Sequence, residues 1–179
     1  ALLLQAKEGF TDENKNIRVP GDKWMIRGPC RFVPSIELKI VEKRSIIALD
    51  NKEGIYVRDT KTGNVRSVIG KSYLLEANEE LWSKELSKVE EEILKKSRPD
   101  GSSRTDMTRV VTFNCPYNTI LQIYNFKTDK NRIIFGPDFI MLEPDEQFSI
   151  IQLSGKTPKR PGVVKTLYLN MGPTYTTDQ

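Results

Sequence analysis

Apolar and polar positions alternate along this chain in short runs bounded by turn residues, and one run occurs twice. Residues 66–75 read RSVIGKSYLL and residues 132–141 read RIIFGPDFIM, so an arginine, two apolar residues, a glycine, an aromatic residue and two further apolar residues follow in the same order. Short alternating runs of this kind are typical of strands, and a repeated run indicates a repeated structural unit. A looser third copy lies upstream, where Trp24, Ile26 and Gly28 occupy corresponding positions.

Each copy follows a second apolar run and a turn, which is the pattern of a β-hairpin. Residues 55–57 and 121–124 lead into the two copies through turns at 60–64 and 127–131. The apolar positions are rich in β-branched and aromatic residues, which favour strands. The sequence therefore predicts a mainly β fold of tandem small antiparallel β-sheet repeat domains.

One segment has a different period. Leu86, Val89, Ile93 and Leu94 recur at helical spacing within residues 83–96, which predicts one short amphipathic helix. The polar stretch that follows, residues 98–106, contains Pro, Gly and Ser but no apolar anchor, so we expect a flexible loop. Together these patterns predict five segments: a repeat at 1–47, a repeat at 48–82, the helix and flexible insertion at 83–107, a repeat at 108–165, and the start of a further domain at 166–179.

Longer strings around the repeats carry a family resemblance. They run in the same order over nearly the whole chain, and they closely resemble repeats of the major vault protein family. The strings are residues 1–6 (ALLLQA), 21–29 (GDKWMIRGP), 32–34 (FVP), 37–42 (ELKIVE), 53–57 (EGIYV), 61–63 (KTG), 68–70 (VIG), 135–137 (FGP), 146–148 (EQF) and 158–161 (PKRP).

The resemblance implies a structural role. It places the chain among the last N-terminal β repeats, just before the shoulder domain, in the barrel wall of a hollow ribonucleoprotein particle. It also implies lateral self-assembly of many copies in the cytoplasm, with a nuclear location also open. The alternative is a binding module for a protein client or RNA, since family members enclose a poly(ADP-ribose) polymerase, a telomerase-associated protein and vault RNA.

Composition narrows the chemistry. The 179 residues include no histidine, which removes Ser-His-Asp and Cys-His mechanisms and the commonest metal ligand. No Gly-rich phosphate loop precedes a helix, so we expect no enzyme, no catalytic residues and no cofactor. The net charge of +4 is too mild to imply a nucleic-acid partner, and no apolar run approaches the ~20 residues of a membrane span, so no membrane partner is expected.

Two motifs are candidate binding sites. Residues 12–16 (DENKN) imitate the start of a calcium loop, but Ile17 and Lys23 stand where that loop needs Gly and Glu. We therefore expect a hairpin turn in which Asp12 bonds its own backbone, and no metal site. Residues 156–165 carry four basic residues and no acid, and could contact phosphates, yet they lack an aromatic residue for base stacking. A solvated, proline-stiffened linker is the interpretation that we favour.

Cysteines and aromatic residues are assigned structural roles. Cys30 and Cys115 fall in different repeats without CxxC spacing, so we expect reduced, partly buried thiols. Aromatic residues at repeat-equivalent places are expected in the cores of the small sheets and not on a ligand platform. They are Trp24, Tyr56, Tyr73, Trp82, Phe135 and Phe139.

Overall fold

The computed structural model describes residues 1–12, 15–98, 104–154 and 160–172. The chain divides into two compact units, Ala1–Trp82 and Ser83–Gln179. The first unit contains β1 (Leu2–Ala6), β2 (Phe10–Thr11), β3 (Ile17–Arg18), β4 (Lys23–Ile26), β5 (Leu38–Lys43), β6 (Gly54–Asp59), β7 (Val65–Ile69) and β8 (Glu79–Leu81). The second contains α1 (Lys88–Ser97), β9 (Thr112–Cys115), β10 (Thr119–Asn125), β11 (Lys130–Phe135), β12 (Asp138–Met141), β13 (Glu146–Phe148), β14 (Ile151–Leu153), β15 (Val164–Thr166) and β16 (Tyr168–Asn170).

Three of the sheets have the same antiparallel topology, which confirms the predicted fold class. Their strand orders are β4-β1-β5, β7-β6-β8 and β11-β10-β13, so the first strand in sequence is always central and two later strands pair on either side of it. We call these the first, second and third meander, using the word here for a three-stranded antiparallel sheet whose first strand is central. In the third, β16 also pairs with β10. None of the described strands of the second and third meanders pairs with a strand of the other.

The registers of the three meanders coincide. In each meander, the last residue of the central strand pairs with the first residue of the third strand in sequence. The amide of the residue after the central strand donates to the carbonyl of the residue just before that third strand. The pairs are Ala6 with Leu38, Asp59 with Glu79, and Asn125 with Glu146. The hydrogen bonds are Lys7 to Glu37 at 2.8 Å, Thr60 to Asn78 at 2.7 Å, and Phe126 to Asp145 at 3.0 Å.

A small apolar core closes the second meander. Leu49, Ile55, Val57 and Val68 are buried together, and partly buried hydrophobic residues pack against them. Burying each such side chain contributes about 1.5 to 3 kcal/mol before entropy costs, so a cluster of this size supports only a small domain. Tyr56 on the opposite face is fully buried as well, because Trp82 packs edge-on against it at 5.7 Å between ring centroids.

The core of the second unit joins the two sheets on which β9 to β13 lie. Leu121 and Ile123 on β10 are fully buried, as are Leu142 and Leu167 beside them. Phe113 on β9 meets Phe148 on β13 edge to face, with ring centroids 5.8 Å apart. Strand alternation explains the choice of residues, because every second position of β10 faces this core.

The helix is confirmed, but it begins later than the sequence predicts. Ser87 is its N-cap and forms a capping box with Glu90, which fixes the first turn at Lys88. The preceding backbone is extended because the Lys84 amide donates to the Met107 carbonyl at 3.0 Å. The helical spacing of the apolar residues therefore extends beyond the helix itself.

The loop that follows α1 is fixed by hydrogen bonds at residue 104, where the described part of the chain resumes. Residues 99–103 of the predicted flexible loop lie outside the described residues. Arg104 donates to the carbonyls of Lys84, Met107 and Arg109 at 2.7 to 2.8 Å, so the chain is anchored where the loop ends. The five segment boundaries stay a prediction, and β16, which lies within the predicted further domain, completes the sheet around β10.

Candidate assembly surface

The second and third meanders each contain an ion pair between an arginine and a glutamate at equivalent positions. We call this ion pair the clip. In the third, Arg132 on β11 donates twice to the Glu146 carboxylate at 2.9 Å, and that carboxylate also accepts the Glu143 amide at 3.1 Å. In the second, Arg66 on β7 donates to Glu79 at 2.6 Å. The clip joins the two outer strands of a meander, because it spans the central strand between them.

The Glu79 carboxylate has a depressed pKa. Its partial burial alone would raise the pKa, but the Glu76 amide, the Tyr73 hydroxyl and the Arg66 guanidinium together hold it below its ordinary value. The Tyr73 hydroxyl has a raised pKa, because burial and its bond to the Glu79 carboxylate both favour the neutral phenol. The clip is therefore charged at neutral pH and fully bonded.

The first meander has apolar residues at the clip positions. Trp24 on β4 stands where the others have arginine, and Leu38 on β5 stands where they have glutamate. Both side chains line an open cavity of about 460 Å³. Trp24 is only half-buried: Phe10 lies 6.1 Å from it and the Arg18 guanidinium stacks 4.4 Å above its ring.

The outer face of the third meander exposes an apolar strip. Phe135 on β11, Ile120 on β10 and Leu169 on β16 are neighbours across the sheet, and Ile133 lies two residues along β11 from Phe135. Phe135 is 62% exposed and Ile133 is 61% exposed. Exposed large apolar side chains that adjoin one another on a sheet face indicate an interaction surface. We call Ile120, Ile133, Phe135 and Leu169 the outer strip.

Phe135 and Phe139 correct the expectation that all the repeat-equivalent aromatic residues are core. Tyr56 is fully buried as expected, and Tyr73 and Trp82 are partly buried. Phe135 lies on the face opposite the buried Ile134, because neighbours on a strand point to opposite sides. Phe139 likewise alternates with the buried Ile140. A repeated aromatic residue identified the strand correctly but not the face that is covered.

The edge strand β5 gives the first unit a second exposed surface. Ile40 and Val41 are 45% and 41% exposed, and charged residues flank them on the same strand. Among the described strands, β5 pairs with β1 alone, so its outer edge is free. An unpaired edge with mixed charged and apolar side chains can meet another chain without uncontrolled aggregation.

The two candidate motifs are only partly described. Asp12 accepts the Asn16 amide at 2.8 Å and the Arg18 side chain at 2.9 Å within the hairpin of β2 and β3, while residues 13–14 lie outside the description. These bonds lower the pKa of Asp12, chiefly through the Asn16 amide. Residues 156–159 of the basic segment also lie outside it, whereas Val164 opens β15.

The other predicted absences concern the cysteines, metals and membranes. Both thiols are free; Cys115 is buried with its sulfur 3.2 Å from the Thr119 hydroxyl, but Cys30 is exposed, which corrects the expected partial burial. Within the described residues, no group of three or more His, Cys, Asp or Glu side chains is placed to hold a metal ion. No helix among the described residues is long and apolar enough to cross a membrane.

Known protein families match this chain at each of the three meanders. Family models described as the major vault protein repeat domain match residues 1–35, 46–99 and 110–171. Each matched range contains the central strand of one meander. The outer strip was not predicted, because residues 133–135 are all apolar in sequence and nothing local shows which face of β11 is covered.

Whole-chain relatives lead to the same family. The chain is 51% identical over 180 residues to major vault protein alpha of Dictyostelium discoideum, 48% over 191 residues to the major vault protein of Strongylocentrotus purpuratus, and 45% over 188 residues to that of Trypanosoma cruzi. These alignments cover 99–100% of this chain and 21–22% of the relatives, so the chain spans about a fifth of their length. On the strength of three repeat matches and these identities, the chain belongs to the major vault protein family.

Proposed function

We propose that this chain is a structural segment of the wall of a vault particle and acts without catalysis, by lateral association of many copies. The relatives are named for vaults, and the alignments cover 99% of this chain. The observation that carries the proposal is the outer strip, whose apolar side chains are exposed on an ordered sheet. A head-to-tail contact between identical copies closes into a ring, which gives a wall its circumference.

Charge would fix the register of that contact. Arg58 and Glu80 form an exposed ion pair on the second meander, and Lys127 and Asp145 form one at 3.5 Å on the third. Pairs of this kind within one chain add little stability, so their charges can instead pair with a neighbouring copy and select the correct alignment. We place the particle in the cytoplasm, and a fluorescent fusion of the full-length protein in cells tests that location.

The test replaces the matching stretch of the Dictyostelium discoideum relative by this chain. Electron microscopy of the purified chimera should show closed hollow particles. Ile133→Lys with Phe135→Lys should greatly reduce the yield of particles, because two ammonium groups would be desolvated in the contact. Val163→Lys, an equally exposed apolar position outside the outer strip, is the matched control and should assemble normally.

Two results would refute the proposal. A chimera that folds but never assembles would show that this chain does not serve as wall, and normal assembly of the double lysine variant would show that the outer strip is not the contact. Thermal unfolding of the variant should match that of the parent chain, because substitutions at exposed positions change stability little. That measurement separates a lost contact from a lost fold.

The first-meander cavity favours client binding as a second candidate function. It is open, and its lining combines the aromatic side chains of Trp24, Phe10 and Phe32 with the polar side chains of Arg18 and Asp12. A polymerase, telomerase-associated or RNA client of the kind the resemblance implies would use such a surface. Trp24→Ala decides: a fall of about 2 kcal/mol or more in the unfolding free energy identifies Trp24 as core, whereas unchanged stability with lost client binding supports the second function.

A further inference from the structure

The three meanders share a four-residue turn before their third strand. In each, the amide of the fourth residue donates to the carbonyl of the first: Leu38 to Ser35 at 3.2 Å, Glu79 to Glu76 at 3.0 Å, and Glu146 to Glu143 at 3.1 Å. A turn of this kind leaves neighbouring carbonyl oxygens available to a further donor. Each of the three turns receives one from a basic side chain.

In the second meander that donor is Arg44, the residue that follows β5. Its side chain is 9% exposed, and Nη1 donates to the carbonyls of Leu75, at 3.3 Å, and Glu76. Its Nε donates to the Glu42 carboxylate at 3.2 Å. Arg27 on the first meander pairs with the Glu76 side chain from the other side. The segment leaving the first meander is therefore tied to the turn of the second.

In the third meander the donor is Lys84, three residues after β8 ends. It is 5% exposed, and its ammonium donates to the Pro144 carbonyl at 2.6 Å. The local backbone is fixed too, since the Lys84 carbonyl accepts from Arg104 at 2.8 Å. Burial lowers the pKa of Lys84, and the nearby Glu90, Asp145 and Glu146 carboxylates oppose that effect.

The first meander provides a contrast within the same chain. Lys7 donates to the Ile36 carbonyl, the counterpart of Pro144, at 3.3 Å, but this side chain comes from inside the meander and the contact is exposed. The turn thus accepts a cation in all three meanders. Only Arg44 and Lys84, which enter from the segment preceding the meander, are buried.

We propose that Arg44 and Lys84 are positioning residues that hold the segment entering the second and third meanders, respectively, against the shared turn. We call these two residues the anchors. A buried cation must keep its acceptors, so it permits one path of the entering segment where an apolar side chain would permit several. This inference rests on the proposed wall function for its consequence, which is that the path fixed by Arg44 sets the spacing of the first and second meanders in the wall. The contact itself does not depend on that function.

The first test measures amide hydrogen exchange in this chain. Arg44→Met should speed exchange of the Ile47 and Tyr73 amides, which bond each other's carbonyls at 2.8 Å beside the anchor, about tenfold. Lys84→Met should likewise speed exchange of the backbone amide of residue 84, which donates to the Met107 carbonyl. Val57 and Ile123, in the central strands, should keep their rates.

Controls decide between a local lock and general stability. Lys43→Met and Lys88→Met remove exposed cations near the two anchors and should leave every rate unchanged. Arg44→Lys and Lys84→Arg keep a hydrogen-bond donor and should retain most of the protection that the Met variants lose. If a Met variant fails to fold, exchange is measured in these conservative variants instead. Unchanged rates at Ile47 and Tyr73 in Arg44→Met, or equal acceleration at all amides, would overturn the proposal.

The second test images particles made by the chimera with the Dictyostelium discoideum relative. The chimera that carries Arg44→Met should assemble into particles with a wider spread of wall lengths than the parent chimera. Parent-like dimensions would overturn the link between Arg44 and the wall. Failure of the parent chimera itself would count against the proposed function, and the exchange rates would still decide on the anchors.

Discussion

At the scale of residues, one position shows how three equivalent sheets are stabilised by different chemistry. Arg66 and Arg132 bind a buried glutamate, whereas Trp24 in the first meander faces Leu38. Either choice satisfies the site, because a bonded ion pair and a pair of apolar side chains both leave no buried charge without a partner. A charged side chain opposite an apolar one would leave the charge without a partner.

The clip of the third meander makes this testable. Arg132→Leu should lower the unfolding free energy of the second unit by about 1 to 2 kcal/mol, because it leaves the buried Glu146 carboxylate without its guanidinium, although Arg132 itself is half exposed. Adding Glu146→Leu should recover most of the loss, as in the first meander. Urea unfolding measures both, and a double variant less stable than the single one would contradict the argument.

The clip of the second meander should depend on pH. The pKa of Glu79 in the folded chain lies below its ordinary value of 4.5, so its ionised form stabilises the fold above that pH. The contribution is lost as the pH falls through the lowered folded pKa. Glu79→Gln should therefore be less stable than the parent at pH 7, and the difference should shrink below pH 4.5. Equal differences at pH 7 and pH 3 would refute this.

At the scale of elements, glycines that match in sequence have different roles. Gly70 has a φ of +67°, and a Cβ there would make only ordinary contacts. A Cβ on Gly136 would lie 1.8 Å from the Pro116 carbonyl oxygen. The first glycine is required by backbone conformation and the second by close approach of two backbone segments.

Alanine at these two positions should separate the two roles. Gly70→Ala should cost about 1 kcal/mol, which is the usual strain of a left-handed residue with a side chain. Gly136→Ala should cost about 3 kcal/mol or more, because backbone atoms of residue 116 must move to make room. Thermal unfolding of the two variants gives the order, and equal costs would show that the Pro116 segment yields freely.

At the scale of the whole molecule, each of the two compact units has its own core, and the exposed features that could contact another copy are small. The exposed ion pairs and the outer strip offer modest contacts per copy. Many weak contacts acting together can hold a shell that no single contact would hold. Association of the isolated chain should therefore be weak.

Sedimentation of this chain at micromolar concentration should give the mass of a monomer, with weak self-association that increases with concentration. The reason is that the outer strip supplies few residues, well below the 20 to 30 residues per side that a stable interface uses. A stable ring formed by this chain alone would contradict the expectation. Ile133→Lys with Phe135→Lys should abolish the weak association, and Val163→Lys should leave it.

The sequence by itself determined the elements and the family. Strand alternation placed β6, β7, β10 and β11, and the repeated arginine and glycine marked equivalent positions, because local periodicity follows directly from backbone geometry. Helical spacing found α1 but not its start, since the Lys84 amide bonds Met107, a residue far along the chain.

Only the tertiary structure decided which faces are covered and which charges are buried. Phe135 matched a core pattern, yet no described element of its unit covers it, whereas Tyr56 is buried because Trp82 folds over it. Arg44 and Lys84 look in sequence like ordinary surface cations, and they become anchors because turn carbonyls 31 to 60 residues away meet them. Burial depends on what arrives from elsewhere in the chain, and no local pattern contains that information.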